Sequence, residues 1–263
     1  KAIRDTISPR IKNGKVVLDD VTLTKEYVKQ MDRLYIIACG SSYHVGMAAK
    51  YILEKYTRIP VEVALASEFR YCDPIVTHHT LVVGISQSGE TADTRDAMRE
   101  ARRLGARTLA VVNVVGSTIA KEADDVIYTW AGPEIAVATT KAYSAQLAVM
   151  TLLTLYLGEL TGKLPPAEYQ AILDGLQKMP EQIEEILKRR EDIQYYASLY
   201  FNNRSVFFLG RNLDYAIGLE GSLKLKEISY IHSEAYAAGE LKHGTISLIE
   251  DGTLVVALAT YDA

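Results

Sequence analysis

The sequence contains only two cysteines, Cys39 and Cys72, among its 263 residues. That number excludes both a scaffold held by several disulfides and a zinc site built from four cysteines. The longest apolar stretch, Leu147–Leu157, contains two threonines and has about half of the roughly 20 residues that a bilayer span needs. No signal-peptide pattern is present. We therefore predict a buried helix rather than a membrane span, in a protein that works in a reducing cytoplasm.

Basic residues are neither in excess nor grouped in blocks. The chain has 29 Lys and Arg against 33 Asp and Glu, which gives a net charge of −4 and a pI near 5.8. This balance counts against nucleic acid or an anionic membrane as a partner. A small anionic ligand stays possible, because local hydrogen-bond donors rather than net charge bind it. The length corresponds to about one and a half to two domains.

Strands alternate with helices along the first half of the chain. Leu34–Cys39 is the first predicted strand, and helical spacing of apolar residues continues from it to Tyr56. Further strands are predicted at Val61–Leu65, Thr80–Ile85, Arg107–Asn113 and Asp125–Trp130. Each is nearly continuous in apolar residues, as in parallel strands covered on both faces. The pattern predicts an α/β fold with a doubly wound parallel sheet flanked by helices.

The segment Thr161-Gly-Lys-Leu-Pro-Pro166 is the clearest domain boundary in the sequence. It follows a helix predicted over Thr139–Leu160, which is apolar nearly all round and should therefore be covered on most sides. We assign a first domain to residues 1–163. Connector helices and a second domain are assigned to residues 164–263.

An internal repeat predicts that the second domain has the same fold as the first. Three pairs of segments match in order at shifts of 170, 172 and 173 residues, namely those around Gly40 and Gly210, Ala66 and Ala238, and Thr80 and Thr253. The second copy stops just after its third predicted strand, so we expect a repeated fold with a truncated second copy. Because the chain also opens on Lys1 instead of methionine, we expect a piece of a longer polypeptide.

The segment Ser86-Gln-Ser-Gly-Glu-Thr91 predicts a phosphate site between the third strand and its helix. A helix N-terminus offers free N–H groups and partial positive charge, and hydroxyl groups add donors. Ser86, Gln87, Ser88 and Thr91 are the candidate ligands. The segment has neither the P-loop lysine nor the glycine spacing of dinucleotide sites, which argues against nucleotides. Ordinary helix capping is the alternative explanation of these hydroxyls.

A second loop rich in hydroxyl groups, Gly40-Ser-Ser42, follows the first predicted strand. The carboxyl ends of parallel strands meet at one edge of the sheet, where open α/β folds bind ligands. We therefore predict that Ser42 faces the same site as the loop of residues 86–91.

Glu220, Lys224 and Glu227 fall on one side of a helix predicted in the second copy. They border an apolar stripe predicted to consist of Ile217, Gly221, Leu225 and Ile228. A carboxylate beside apolar packing and near an ammonium group is suited to proton transfer. The alternative is a surface ion pair with no chemical role.

His243 lies in the glycine-flanked segment Gly239-Glu-Leu-Lys-His-Gly244, where an imidazole can exchange protons with a sugar oxygen at neutral pH. A histidine that only contributes surface polarity is the alternative. The remaining histidines form no ligand pattern of the zinc-finger or metalloprotease type, so we predict no metal and no cofactor.

These segments together resemble the sugar isomerase (SIS) domains of glutamine:fructose-6-phosphate aminotransferases over nearly the whole chain. The most specific matches are Cys39-Gly-Ser-Ser42, Ala66-Ser-Glu-Phe-Arg70, Ser86-Gln-Ser-Gly-Glu-Thr-Ala-Asp93, Gly132-Pro-Glu-Ile-Ala-Val-Ala-Thr-Thr-Lys141, Leu223-Lys-Leu-Lys-Glu-Ile-Ser-Tyr-Ile231 and Gly239-Glu-Leu-Lys-His-Gly244. Thr139 stands where the family more often has serine, and Ser41 where it has threonine, but both exchanges keep a hydroxyl group.

The resemblance implies conversion of fructose 6-phosphate to glucosamine 6-phosphate. It implies that the phosphate is held by Ser42, Ser86, Gln87, Ser88 and Thr91, and that the sugar is lined by Val137 and Thr139. It also implies that Glu227 shuttles a proton between C1 and C2 with the help of Lys224, and that His243 opens the sugar ring from the neighbouring subunit of a homodimer. The family's glutaminase domain and its C-terminal lysine tail lie outside these 263 residues.

Two other functions remain open at this stage. A phosphosugar-sensing SIS module that regulates a partner needs the phosphate loop but neither Glu227 nor His243. Another SIS enzyme, such as a sugar-phosphate isomerase or deaminase, would share the site but give different products with and without ammonia.

Overall fold

The computed structural model describes residues 1–260, which form two compact units. The first comprises Lys1–Ile135 with Thr139–Pro180, and the second comprises Ala136–Ala138 with the chain from Glu181 onward. The division falls inside a helix, Pro166–Leu187, which contains Pro180. The boundary that we assign at residue 163 from the sequence lies 17 residues earlier and stays a prediction.

The first unit is built on a parallel five-stranded sheet. Its strands are β3 (Arg33–Ala38), β4 (Val61–Leu65), β5 (Thr80–Ser86), β6 (Arg107–Val112) and β7 (Asp125–Tyr128), and a short hairpin precedes them with β1 (Ile11–Lys12) and β2 (Lys15–Val16). The order in the sheet is β4-β3-β5-β6-β7. The predicted doubly wound parallel fold is therefore confirmed.

Helices cover both faces of this sheet. They are α1 (Ala2–Ile7), α2 (Lys25–Gln30), α3 (Gly40–Thr57), α4 (Ala66–Phe69), α5 (Ala92–Arg103), α6 (Thr118–Glu122), α7 (Lys141–Thr161) and the first part of α8 (Pro166–Leu187). On one face, Tyr35 and Val82 join a core with Met98 of α5. On the other, Gly46 of α3 lies directly against Ile36. Because both faces are buried, the strands are apolar throughout, which explains why their sequences predicted them well.

Helix α7 is buried along almost its whole length, as its composition predicts. It packs against α1, α2 and α3. Its first turn has Ala142 and its last turn Gly158 in buried positions. Among residues 1–260, no helix combines the length and hydropathy that a membrane crossing requires.

The second unit holds a three-stranded parallel sheet. Its elements are the remainder of α8, α9 (Arg190–Tyr200), β8 (Ser205–Gly210), α10 (Leu213–Ser229), β9 (His232–Ala237) and β10 (Leu254–Ala257), with 3₁₀ segments at Leu241–His243 and Thr245–Leu248. Strand β8 lies between β9 and β10, just as β3 lies between β4 and β5. This shared order confirms the repeat. Up to residue 260 no strand follows β10, so counterparts of β6 and β7 are not part of the described chain.

The apolar stripe predicted on α10 is wrong in part. Ile217, Gly221 and Leu225 are half-buried, whereas Ile228 is 67% exposed. The buried positions of this helix are Asp214, Ala216, Gly218, Glu220 and Ser222. Small residues let the helix lie close to the strands, and a Cβ added at Gly221 would be 3.0 Å from the Phe208 ring. Close packing thus selects side-chain size, which a hydropathy pattern does not detect.

Candidate functional site

The first unit has its topological switch point between β3 and β5. The chain leaves β3 toward β4 on one side and returns to β5 on the other. Ala38 and Ile85 are partners in the register of these two strands, so the segments that follow them emerge side by side. A crevice forms at such a point outside the carboxyl ends of the strands, and ligands of open α/β sheets bind there. The two predicted hydroxyl loops are the segments that border it.

The loop of residues 86–91 is shaped by its own hydroxyl groups. The buried Ser86 Oγ accepts a hydrogen bond from the Gly89 N–H at 3.0 Å and lies 2.9 Å from Thr91 Oγ1. Ser88 Oγ accepts from the Glu90 N–H at 3.1 Å. Gly89 has a φ of +67°, a conformation that side chains with a Cβ rarely adopt. The loop therefore holds a defined conformation through contacts within itself.

The capping explanation of these hydroxyls is wrong for Thr91. Thr91 is the N-cap residue of α5, but its side chain makes no capping bond and contacts Ser86 instead. Cys39, the N-cap residue of α3, makes no capping bond either. Cys39 Sγ lies 3.9 Å from Thr94 Oγ1 in the first turn of α5, so the two helix starts are neighbours. Two adjacent helix N-termini without side-chain caps suit an anionic group.

A neighbouring segment braces the loop, and the sequence did not predict this contact. The Asn113 N–H donates to the Gln87 carbonyl at 3.1 Å, and the Ile119 N–H donates to the Gly89 carbonyl at 3.0 Å. The Thr118 N–H donates to the Glu90 carboxylate at 2.7 Å. That backbone hydrogen bond from Thr118 lowers the pKa of Glu90. The brace connects residues more than 20 positions apart, so no local pattern could have indicated it.

Replacing Gly89 with alanine is expected to lower the free energy of unfolding by about 2 kcal/mol. The positive φ accounts for about half of this cost, and the clash for the rest, because the new Cβ would lie 2.0 Å from Ser117 Oγ. Gly162→Ala is the matched control, since Gly162 has the same φ of +67° and nothing within 4 Å of a Cβ. Urea unfolding measures both variants, and equal losses would show that the contact with Ser117 is unimportant.

Ser42 lies in the first turn of α3, at the same edge of the sheet. Its hydroxyl donates a hydrogen bond to Gln146 Oε1 of α7 at 3.0 Å. The side chain is half-buried, so part of it stays accessible from the crevice. The structure thus brings Ser42 to the side of the switch point opposite the loop of residues 86–91, as predicted from the strand order.

Val137 and Thr139 belong to the long segment between β7 and α7. Val137 is 97% exposed and lies in the second unit, whereas Thr139 is half-buried and lies in the first. Asn113 anchors the start of this segment, because its Oδ1 accepts from the Ala131 N–H at 2.8 Å and its Nδ2 donates to the Gly132 carbonyl at 2.8 Å. The role of Val137 and Thr139 in lining a sugar stays a prediction.

In the second unit, Lys224 lies between two carboxylates of helix α10. Its Nζ forms an ion pair with Glu227 Oε2 and lies 3.6 Å from Glu220 Oε1. The side chains of Glu220, Lys224 and Glu227 are 7%, 20% and 31% exposed. The cluster is thus more buried than an ordinary surface ion pair, and Glu227 is the carboxylate that solvent reaches most easily.

His243 ends the 3₁₀ segment Leu241–His243 of the second unit and is exposed. Its backbone N–H donates to the Glu240 carbonyl at 2.9 Å, which fixes the turn but leaves the imidazole at the surface. Within residues 1–260, no three His, Cys, Asp or Glu side chains form a group that could hold a metal ion. The roles of His243, Lys224 and Glu227 stay predictions, as does the expectation that no metal or cofactor is used.

The sheet order, the hydroxyl-rich loop and the uncapped helix starts define the class of α/β proteins that bind small anionic ligands at a switch point. Comparison with family models then identifies the family. The SIS domain model matches residues 27–156 and 199–262, and the chain belongs to this family.

Individual relatives agree with this assignment. The chain is 56% identical over 261 residues to a glutamine--fructose-6-phosphate aminotransferase [isomerizing] from Clostridium acetobutylicum and 55% identical over 263 residues to one from Clostridium tetani. These matches cover 99% and 100% of the chain but only 43% of each relative's length. A solved structure, the C-terminal domain of glucosamine-fructose-6-phosphate aminotransferase from Francisella tularensis, aligns with a TM-score of 0.94 and 39% identity, covering 99% of this chain and 73% of that one.

Proposed function

We propose that this chain is the isomerase part of a glutamine--fructose-6-phosphate aminotransferase and converts fructose 6-phosphate and ammonia to glucosamine 6-phosphate. The observation that carries the proposal is the hydroxyl-rich loop at the switch point, in a chain 56% identical to a relative of that name. The chain covers less than half of that relative. The activity of the whole protein is therefore part of the proposal.

The phosphate of the substrate binds at the loop of residues 86–91 in this proposal. Ser88 and Thr91 offer hydroxyl groups, and the first turn of α5 offers backbone N–H groups without a side-chain cap. Ser86 is buried and its hydroxyl is already bonded within the loop, so its main contribution is to hold the loop in shape. Gln87 and Ser42 complete the predicted set of ligands.

The reaction needs one base that serves two adjacent carbons. Ammonia adds to the C2 ketone of the open sugar, and water leaves to give an imine at C2. A base then removes one proton from C1 and returns a proton to C2, which leaves an aldehyde at C1 and an amine at C2. No oxidant or reductant is consumed. A single carboxylate on one face of the sugar can perform both proton transfers.

Glu227 is our candidate for this base, and Lys224 for the group that assists it. Their ion pair keeps the carboxylate ionised and able to accept a proton, and Glu220 balances the charge of Lys224 from the opposite side. His243 is the candidate for opening the sugar ring. A regulatory sensor would need none of these three charged groups, so their presence favours an enzyme.

The remaining partners are also proposals. Following the family resemblance, His243 acts in the site of a neighbouring subunit, so the protein is a homodimer. Glutamine supplies the ammonia through a glutaminase domain elsewhere in the longer polypeptide. We place the protein in the cytoplasm, in keeping with its two free cysteines, Cys39 and Cys72.

Calorimetric titration with fructose 6-phosphate tests the proposal, with fructose and inorganic phosphate as control ligands. Saturable binding that needs sugar and phosphate in one molecule is expected, and glucosamine 6-phosphate should form only when ammonia is added. Binding without any product would favour the regulatory sensor. Glucose 6-phosphate formed at the same rate with and without ammonia would favour a simple ketose–aldose isomerase.

Ser88→Ala is expected to weaken the binding of fructose 6-phosphate by about 1–3 kcal/mol. Ser88 Oγ accepts from the Glu90 N–H, so its own proton is available to a phosphate oxygen. Thr161→Ala is the matched control, because the Thr161 hydroxyl accepts from the Lys163 N–H in the same kind of turn, outside the proposed site. Calorimetry compares the two variants, and an unchanged affinity for Ser88→Ala would assign that serine to loop structure alone.

A further inference from the structure

Helix α7 carries a buried amide that its packing does not require. Gln146 is 1% exposed and lies in a helix whose buried positions are otherwise almost all apolar. The other buried polar side chain of α7, Thr154, donates to the Met150 carbonyl of its own helix at 2.8 Å and so satisfies itself locally. Burying an amide is costly unless it forms hydrogen bonds. Gln146 therefore needs a partner outside its own helix.

That partner is Ser42 on α3. The Ser42 hydroxyl donates to Gln146 Oε1 at 3.0 Å, across 104 positions of sequence. Ser42 starts the helix that follows β3, next to the crevice, whereas Gln146 lies behind it in the core. The amide therefore contacts Ser42 from the side facing away from the proposed ligand.

We propose that Gln146 is a positioning residue that fixes the Ser42 hydroxyl for sugar-phosphate binding. This inference rests on the proposed function, because it concerns the same ligand site. Ser42 has one proton, and while that proton goes to Gln146 Oε1 the serine offers only lone pairs to the crevice. A phosphate oxygen accepts hydrogen bonds and needs a donor.

The amide of Gln146 can meet both situations. When it presents Oε1, Ser42 donates to it, as in this structure. When it presents Nε2, Ser42 accepts from the amide, and the serine proton turns to the phosphate. A side chain of similar volume without an amide, such as methionine, can hold Ser42 in neither way. Glutamine at position 146 thus couples the orientation of a buried group to the donor capacity of Ser42.

Gln146→Met is expected to raise the dissociation constant for fructose 6-phosphate by about tenfold. The same change made in a Ser42→Ala background should have little further effect, since the group that Gln146 positions is then absent. Calorimetry on the four proteins of this cycle measures the coupling. An effect of Gln146→Met that is just as large in the Ser42→Ala background would overturn the proposal.

Two further measurements separate positioning from stability and from the proposed function. Thr154→Val removes a buried hydroxyl from the same helix and should leave the dissociation constant unchanged, whatever it does to the urea midpoint. A tenfold loss of affinity in that variant would also overturn the proposal. In a crystal structure of Gln146→Met without ligand, Ser42 Oγ should occupy a new rotamer. If the parent protein binds no fructose 6-phosphate, the proposed function fails, and an unmoved Ser42 in this crystal would independently reject positioning by Gln146.

Discussion

Glu227→Gln is expected to slow the formation of glucosamine 6-phosphate by about 10²–10⁴-fold, the usual contribution of a general base. Glutamine has nearly the same shape, but it cannot take the proton from C1. Lys224 keeps Glu220 as a partner at 3.6 Å, so the helix should retain its structure. The loss is expected in kcat, with KM changed by only a few-fold, because the phosphate binds elsewhere.

The matched control for this variant is Glu185→Gln. Glu185 forms an ion pair with Lys188 three residues away on helix α8, the same spacing as Lys224 and Glu227 on α10. Its loss should leave kcat unchanged. Steady-state assays with added ammonia measure both variants. If Glu227→Gln retained a tenth or more of the parent kcat, another group would have to be the base.

Asp125→Ala is expected to lower the free energy of unfolding by about 3–5 kcal/mol. The Asp125 side chain is completely buried, and Arg107 Nε lies 2.8 Å from Oδ2. Its Oδ1 also accepts from the Thr22 N–H at 2.7 Å and from the Thr22 hydroxyl at 2.8 Å. Removing the carboxylate leaves a guanidinium and a backbone N–H without their partner at the amino end of β7.

Urea unfolding of Asp125→Ala should be compared with that of Asp19→Ala. Asp19 forms an ion pair with Lys12 at 2.9 Å on the surface, so its loss should cost less than about 1 kcal/mol. Similar losses for the two variants would show that the buried network with Arg107 adds no stability beyond a surface pair.

The same aspartate predicts how stability depends on pH. Burial by itself raises the pKa of Asp125, but the hydrogen bonds from Arg107 and Thr22 outweigh it, and the net pKa is lowered. A carboxylate whose folded pKa lies below its unfolded value stabilises the fold above the unfolded pKa. We expect this contribution to be complete above about pH 4 and to disappear as the pH falls through the folded pKa. In Asp125→Ala the acid-induced loss of stability should be correspondingly smaller.

The sequence predicted the sheet of the first unit closely, because parallel strands buried on both faces are apolar throughout. The prediction for Val61–Leu65 matches β4 exactly, and Thr80–Ile85 is one residue shorter than β5. The stripe on α10 was predicted less well. Its buried positions include Gly218 and Ser222, whose small size rather than hydropathy lets the helix approach the strands.

The site shows the same division between local and distant contacts. The loop of residues 86–91 was predictable because its donors and acceptors lie within six residues of each other. The brace from Thr118 to Glu90 and the bond from Ser42 to Gln146 join residues 28 and 104 positions apart. Such pairs become visible only when the strand order brings the elements together.

The equal strand order of the two sheets also bears on the ancestry of the protein. A duplicated fold begins with two identical copies, and each is then free to lose what the other retains. The first copy opens its helix with Ser41 and Ser42, where the second has Asn212 and Leu213. The second carries the cluster of Glu220, Lys224 and Glu227 on that helix, where a shift of 172 residues places Ala48, Ile52 and Lys55 in the first. Ligand capture and proton chemistry have thus been divided between sister copies, so neither could replace the other.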